Sequence, residues 1–286
     1  MNLVVHPFFD IDTCSYSYVL ANPGSGTCAV IDPVLNYDLE NGEVSTVQAD
    51  QILEFVKTNG YIVEWILETH VHADHVSAAP YIKEQLGGQT AIGENVTRVQ
   101  AVFGKLFNAE PGFDTDGRQF DRLFADGEVF RIGELDCEVI GTPGHTNDSV
   151  SYRIGSHVFV GDSMFMPDFG TARCDFPGGD AGLLYDSIER LLSLPEDTRL
   201  YMCHDYKPGG RELRWVCTVA EQRAGNIHVG GGVSKDAFSK MRTERDAGLG
   251  LPALIIPSIQ VNIRAGHLPD EDDNGVAYLK VPIDIL

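Results

Sequence analysis

The sequence of 286 residues predicts a single-domain α/β protein, on three observations. Apolar residues make up 43% of the chain and charged residues 22%, a composition typical of globular proteins. β-rich runs alternate with a helical pattern in the first third, and later runs have the alternation of hairpins. No linker long enough to separate domains is present. We therefore expect residues 1–286 to form one domain, with a short C-terminal extension from about residue 225.

The first third of the chain predicts two strands, a helix and a buried strand. SYSYVLANP and TCAVIDPV are β-rich runs on either side of a PGSG turn. Residues 48–59 place apolar side chains on one helical face, with Gly60 as the stop. YIVEWILETH is then a buried strand that leads to His70. Because open α/β sheets usually bind ligands at the carboxyl ends of their strands, a site is expected there.

The rest of the chain predicts helices and hairpins that lead to further polar residues. We expect a helix over residues 76–88, and over residues 101–124 a polar, glycine-punctuated loop suited to act as a lid. GEVFRIGELDCEVIGTPG and YRIGSHVFVGDSMF have hairpin patterns, and the second strand of the latter runs into Asp162. A helix over residues 185–194 precedes RLYMCHDY, a strand that ends at His204.

Charge and cysteine content limit the partners and the compartment. Forty-two acidic residues against twenty-one basic ones leave a formal charge of −21, which disfavours binding to nucleic acid and to anionic membranes. No apolar run approaches the roughly 18 residues that a membrane span needs, and the amino terminus lacks the pattern of a secretory signal. The six cysteines are scattered without a CxxC pair. This pattern favours free thiols in a reducing compartment over a disulfide framework. We expect a cytoplasmic protein that forms homodimers.

Histidines and aspartates collect at the ends of the predicted strands. A lone histidine at a strand end is usually structural, but buried imidazoles and carboxylates gathered together are costly without a metal. Both groups are natural ligands of divalent transition metals. The candidate ligands lie in THVHADH, TPGHT, VFVGD and MCHDY, and they are His70, His72, Asp74, His75, His145, Asp162 and His204.

In this order and spacing, the four motifs resemble those of the metallo-β-lactamase superfamily. The resemblance implies a four-layer αββα sandwich with metals at one edge between the sheets. In dinuclear members, the matching positions form two metal sites that share Asp162. One site would comprise His70, His72 and His145, and the other would comprise Asp74, His75 and His204.

Further segments resemble the bacterial persulfide dioxygenases of this superfamily. They are SMFMPDFGTARCDFPGG after Asp162, TPGHTNDSVSY, HDY, and VNIRAG near the C terminus. The resemblance implies one Fe(II) per chain, held by the catalytic residues His70, His145 and Asp162, although Zn(II) could replace iron during purification. The remaining four candidate ligands would orient these groups and hold water. The implied reaction converts glutathione persulfide, O2 and water to sulfite and glutathione.

An anionic tripeptide needs local cations to enter a protein of charge −21. Arg173 is the first candidate, because its guanidinium can bind a carboxylate through two hydrogen bonds, and Tyr206 and Lys207 come next. Arg173 would also lower the pKa of Cys174 if the two side chains lie close. We expect Cys174 to be a packing residue, although a thiol that carries sulfane sulfur is conceivable. His228 stands roughly where some members of this branch have an arginine that binds the glutathione carboxylate.

Two other functions remain open at this point. A dizinc thioester hydrolase of the glyoxalase II kind would use the same seven ligands and the same glutathione moiety. A non-catalytic metal-binding or sensor protein could share the scaffold, but the complete set of ligands argues against it. Metal content separates the two enzymes, since one iron per chain is expected for the dioxygenase and two metals for the hydrolase.

Overall fold

The computed structural model describes residues 3–284, which form fifteen strands and seven helices. The strands are β1 (Val4–Asp10), β2 (Ser15–Asn22), β3 (Thr27–Ile31), β4 (Val34–Tyr37), β5 (Val44–Ser45), β6 (Ile62–Leu67), β7 (Val76–Ser77), β8 (Gln89–Gly93), β9 (Arg122–Phe124), β10 (Val129–Ile132), β11 (Leu135–Gly141), β12 (Val150–Ile154), β13 (His157–Phe159), β14 (Arg199–Tyr201) and β15 (Val216–Thr218). The helices are α1 (Val47–Asn59), α2 (Ala79–Leu86), α3 (Val96–Leu106), α4 (Ala181–Leu192), α5 (Val219–Gly225), α6 (Lys235–Asp246) and α7 (Ile255–Asn262).

Two six-stranded mixed sheets form the centre of the molecule. The first has the order β1-β2-β3-β6-β8-β9, with parallel pairing from β3 to β9. The second has the order β10-β11-β12-β13-β14-β15, in which only β13 and β14 are parallel. A small sheet, β5-β4-β7, lies beside them. The parallel pairs direct the carboxyl ends of β3, β6 and β8, and those of β13 and β14, to common edges.

Successive side chains of a strand point to opposite faces of its sheet, and they therefore belong to different apolar layers. In β2, Tyr18 and Leu20 belong to the core that the two sheets share, whereas Val19 and Ala21 pack with helices α1 and α2. The outer face of the second sheet is covered by α4 and α6. The predicted four-layer αββα sandwich is therefore confirmed.

Helix α1 agrees with its sequence pattern. It ends at Asn59, and Gly60 adopts a left-handed conformation (φ 67°) whose N–H bonds to the carbonyl of Lys57. Helix α4 begins four residues before the predicted Tyr185, because Asp180 caps it by accepting a hydrogen bond from Leu183 N.

The predicted loop over residues 101–124 is wrong at both ends. Helix α3 continues to Leu106, and residues 122–124 are strand β9. The helix is stabilised by Val96, Val99 and Phe103, which are spaced three and four residues apart and are buried against α7. The apolar pattern of α3 begins at Val96, five residues before the start of the predicted loop, so the loop prediction divided a continuous helix.

The segment after residue 225 packs against both halves of the sandwich. Phe238 of α6 lies in the apolar cluster of α4, and Ile255 and Ile259 of α7 pack with α3. Among residues 3–284, no helix combines the length and apolarity that a membrane crossing requires.

Candidate metal centre

All seven predicted ligands meet at one edge of the two sheets. His70, His72, Asp74 and His75 lie on the irregular segment between β6 and β7. His145 follows β11, Asp162 lies in a short 3₁₀ turn after β13, and His204 follows β14. All are buried except Asp74, which is partly exposed. The cluster follows from strand direction, as predicted, although His70 and His72 do not lie on an extended strand.

Three of these residues form a compact group. Ligand atoms of His70, His145 and Asp162 all lie within 4.8 Å of one another. His145 Nε2 is 3.7 Å from Asp162 Oδ2. Among the described residues, the compact groups that contain His72 combine it with Asp32 and Cys203, or with Asp74 and His75, and not with His70 and His145.

The donor atoms fit a divalent metal. His70 Nε2, His72 Nδ1 and His75 Nε2 are buried, and within residues 3–284 none of them forms a hydrogen bond. His204 Nε2 is 3.3 Å from both Asp74 Oδ2 and Asp162 Oδ1. Buried imidazole nitrogens without partners are costly, and a bound cation would satisfy them. The site is therefore a metal centre built from imidazoles and carboxylates.

The opposite ring nitrogens are held by other groups. His145 Nδ1 donates to the carbonyl oxygen of Arg173 at 2.6 Å. His70 Nδ1 lies 3.0 Å from Thr69 Oγ1, and His72 Nε2 lies 3.0 Å from Asp32 Oδ1. Such contacts fix the ring orientation and leave the other nitrogen facing the metal site.

Asp32 was missed by the sequence analysis. It follows β3, and its carboxylate accepts hydrogen bonds from Thr69 N at 2.7 Å and from Thr69 Oγ1 at 2.9 Å. It thus supports His72 and the residue before His70. The available signal was its position at the end of TCAVID, which parallels the position of Asp162 at the end of VFVGD.

Asn262 is a second residue whose role was missed. Its Nδ2 donates to the carbonyls of His72 and His75 at 2.9 and 2.8 Å, and its Oδ1 accepts from Ser77 N at 2.9 Å. The asparagine lies within VNIRAG, but the sequence did not indicate its partners. Helix α7 thereby holds the ligand segment through its backbone.

The charges of the cluster favour a cation. Burial opposes protonation of His72, but the carboxylates of Asp32 and Glu68 raise its pKa to about 10. Burial likewise opposes protonation of His204, but Asp162 and Asp74 raise its pKa to about 9. Of these carboxylates, Asp162 and Asp74 belong to the predicted ligand set and thus stabilise positive charge at the place where a metal ion would bind.

A cavity of about 400 Å³ opens onto the centre. Asp74, His145 and Asp162 line it, and residues 249–254, after α6, form part of its wall. Among the described residues, those of 107–121 contribute nothing to the lining, so the segment predicted to act as a lid is not a wall of this cavity. Four aromatic residues form a further part of the wall, Phe165, Phe169, Phe176 and Tyr206.

The three predicted substrate residues differ in position. Arg173 lines the cavity, but its guanidinium forms a two-bond pair with Asp175 and donates to the carbonyl of Gly250 at 2.6 Å. Tyr206 lines the cavity and stacks on His204, with ring centroids 5.5 Å apart. Lys207 is exposed and is not among the lining residues of the described chain.

Cys174 does not have the lowered pKa that its neighbour Arg173 suggested. The thiol is buried and lies 3.5 Å from Asp246 Oδ2. Burial and the charge of Asp246 raise its pKa to about 12. The expected packing role agrees with this environment, because the nucleophilic thiolate is disfavoured.

His228 also has a structural environment. Its Nδ1 accepts a hydrogen bond from Thr171 N at 3.0 Å. Burial, followed by the charges of Arg242 and Arg245, lowers its pKa to about 4. A neutral imidazole at this position cannot replace the charge of an arginine.

Together, the fold and the ligand cluster define a metal-dependent enzyme built on an αββα sandwich. Residues 13–204 match the family model described as the metallo-beta-lactamase superfamily. The chain belongs to this superfamily.

Relatives within the superfamily carry different names. A probable metallo-hydrolase of Burkholderia pseudomallei is 54% identical, over 99% of this chain and 100% of that protein. Glyoxylase B2 of Dictyostelium discoideum is 50% identical, over 99% of this chain and 97% of its own length. The bovine mitochondrial persulfide dioxygenase ETHE1 is 28% identical, over 92% of this chain and 89% of its own length. The crystal structure of ETHE1 from Myxococcus xanthus has a TM-score of 0.74 and 29% identity, and covers 92% of this chain and 100% of that one. The likeness to the two ETHE1 proteins supports the predicted branch.

Proposed function

We propose that the protein is an iron-dependent persulfide dioxygenase that oxidises glutathione persulfide with O2 and water to sulfite and glutathione. The observation that carries the proposal is the compact group of His70, His145 and Asp162 beside a cavity. Two imidazoles and one carboxylate are the ligand set of non-haem Fe(II) oxygenases. The likeness to the ETHE1 structure over nearly the whole chain supports the same reaction class.

The dioxygenase assigns one metal to the compact group of His70, His145 and Asp162. His72 lies next to this group, with its ring centroid 4.0 Å from that of His70, and forms a second compact group with Asp74 and His75. His72, Asp74, His75 and His204 would then hold water and orient the three iron ligands.

The metal, when bound, supplies the redox chemistry that O2 activation needs and that zinc lacks. The chain contributes the remaining elements. Its carboxylates and imidazoles attract the cation, and the contact with Arg173 O keeps His145 Nε2 directed to the site. The aromatic wall gives the thiol part of the substrate an apolar environment beside the metal. Arg173, Tyr206 and Lys207 remain predicted substrate residues, and the homodimer remains a prediction.

A dizinc thioester hydrolase is the second candidate. All seven predicted ligands of a dinuclear site occur in the groups of residues that could hold a metal ion, and the relative named Glyoxylase B2 is 50% identical. In that enzyme, a metal-activated hydroxide would attack the thioester carbonyl.

The deciding experiment combines metal analysis with two substrates. The protein is purified anaerobically, its iron and zinc are quantified, and it is assayed with glutathione persulfide in an oxygen electrode and with S-lactoylglutathione. We expect one iron per chain, O2 uptake with the persulfide, and little thioester hydrolysis. The zinc-loaded protein and His70→Ala serve as controls and should not consume O2. Rapid thioester turnover without O2 uptake, in protein with two metals per chain, would overturn the proposal.

A further inference from the structure

The cavity beside the metal centre contains three arginines that differ in how their charge is balanced. Arg173 forms a two-bond pair with Asp175, at 2.6 and 2.7 Å. Arg242 is buried and pairs with Asp246 of its own helix, with Nε 2.9 Å from Oδ1. Within residues 3–284, Arg245 has no carboxylate oxygen within 4.0 Å. Arg245 is therefore the lining arginine whose guanidinium is free of an ion pair.

The position of Arg245 is coupled to that of a metal ligand. The next residue, Asp246, accepts a hydrogen bond from Cys174 N at 2.9 Å. The residue before Cys174 is Arg173, whose carbonyl accepts from His145 Nδ1. The C-terminal end of α6 and the ligand His145 are thus anchored on the same short segment. The exposed side chain of Arg245 therefore starts from a backbone position that is linked to the metal centre.

The carboxylates that line the cavity lie on other elements than Arg245. Asp74 and Asp162 belong to the metal cluster, and Asp12 lies on the turn between β1 and β2. Most of the remaining wall is apolar. A ligand with its sulfur at the metal would extend along this surface and could end with an anionic group at Arg245.

We infer that Arg245 binds a carboxylate of the thiol part of the substrate. The inference rests on the proposed function for the identity of that thiol, glutathione. With a net charge of −21, the protein repels anions, so a local cation that is not already neutralised is needed to bind one. A guanidinium can bind a carboxylate through two parallel hydrogen bonds, and the fork of Arg173 is already occupied by Asp175.

A purely structural role for Arg245 makes a different prediction. It lies in the last turn of α6, where a positive charge stabilises the helix dipole. If that were its whole function, its loss would lower the stability of the protein without distinguishing between ligands. The test must therefore compare two ligands that differ in their carboxylates.

The experiment measures binding without turnover. Glutathione and glutathione diethyl ester, in which both carboxylates are blocked, are titrated into the metal-loaded protein by calorimetry. We expect Arg245→Gln to weaken the binding of glutathione by about ten- to a hundredfold, and that of the diester by less than about twofold. Arg223→Gln is the matched control, since Arg223 is an exposed arginine on α5 outside the cavity and its loss changes the net charge equally. This control should bind both ligands like the wild type.

Three outcomes would overturn the inference. Arg245→Gln could bind glutathione within about twofold of the wild type, or it could lose affinity equally for both ligands. Alternatively, the carboxylate-dependent loss could occur in Arg173→Gln instead. Failure of the proposed function can be distinguished from failure of this inference. A protein that binds glutathione through Arg245 but consumes no O2 with the persulfide would contradict the proposed dioxygenase activity and leave the role of Arg245 intact.

Discussion

Each imidazole of the compact ligand group has one nitrogen engaged and the other available. His145 is oriented by a backbone carbonyl and His70 by a neighbouring hydroxyl. His72 differs, because its Nε2 contacts the Asp32 carboxylate, which raises its pKa. The seven predicted ligands therefore have different environments, and substitution should distinguish their roles.

Substitution of His70 should remove iron, whereas substitution of His72 should not. A site of two imidazoles and one carboxylate cannot hold iron after losing a third of its ligands, so His70→Ala, His145→Ala and Asp162→Ala should each contain almost none. His72→Ala should keep much of its iron but lose activity. Iron per chain after anaerobic reconstitution is the measurement. Equal loss in His70→Ala and His72→Ala would indicate that both bind the same metal.

Cys174 should be dispensable for catalysis. Its buried thiol, with a pKa of about 12, is protonated at neutral pH and is a poor nucleophile. We expect Cys174→Ala to keep kcat/KM within about twofold and to lose about 1 kcal/mol of stability from the cavity it leaves. Cys28→Ala, at a buried cysteine of β3, is the control. A large loss of activity in Cys174→Ala alone would show that the thiol takes part in the reaction.

At the scale of elements, the ligand segment depends on a helix from the far end of the chain. Asn262 of α7 forms three hydrogen bonds with the backbone around His72, His75 and Ser77. Asn262 is more than 180 positions away from each of these three residues in the sequence. The geometry of the metal centre is thus partly determined by the C-terminal segment.

Removal of the Asn262 amide should disturb the metal centre. Asn262→Ala leaves buried backbone groups without partners, at a cost of about 1–3 kcal/mol in the free energy of unfolding, and it should lower iron occupancy. Asn59→Ala is the control, because Asn59 bonds the carbonyl of Phe55 on the exposed end of α1. Chemical denaturation and metal analysis provide the readouts. If both variants unfold and bind iron alike, α7 does not position the ligands.

At the scale of the whole molecule, the metal should contribute to stability. The centre joins the segment after β6 in the first sheet to the ends of β11, β13 and β14 in the second. A cation bound there would connect both halves of the sandwich and satisfy buried nitrogens that have no partner in the described chain. Unfolding must break these contacts.

Metal removal should therefore lower Tm. At free metal about 100 to 1,000 times its Kd, binding stabilises the folded state by about 3–4 kcal/mol, which corresponds to roughly 5–15 °C in a protein of this size. Anaerobic addition of Fe(II) should restore the higher Tm. His70→Ala should show no such metal-dependent shift. Identical melting of the chelated and reconstituted wild type would mean that the cation contributes little to folding.

The sequence by itself determined the chemistry of the ligands and the edge at which they collect. Histidines and aspartates that follow apolar strands are visible in a linear pattern, because the direction of a strand fixes which end carries them. The helix predicted over residues 48–59 agrees with α1 to within one residue, because its periodicity and the glycine after it are local. Helix α3 was not predicted, because the loop was predicted to begin at residue 101, inside the apolar pattern of the helix.

Only the tertiary structure decided how these groups are held and what surrounds them. Asp32 and Asn262 support the ligand segment from distant elements, and no local pattern encodes such contacts. The same holds for charge, because Arg173 lies two residues from Asp175 but is neutralised by it only in the folded geometry. Whether an arginine is paired depends on which carboxylates folding brings within a few ångströms of it, and within residues 3–284 folding brings none to Arg245 at the cavity.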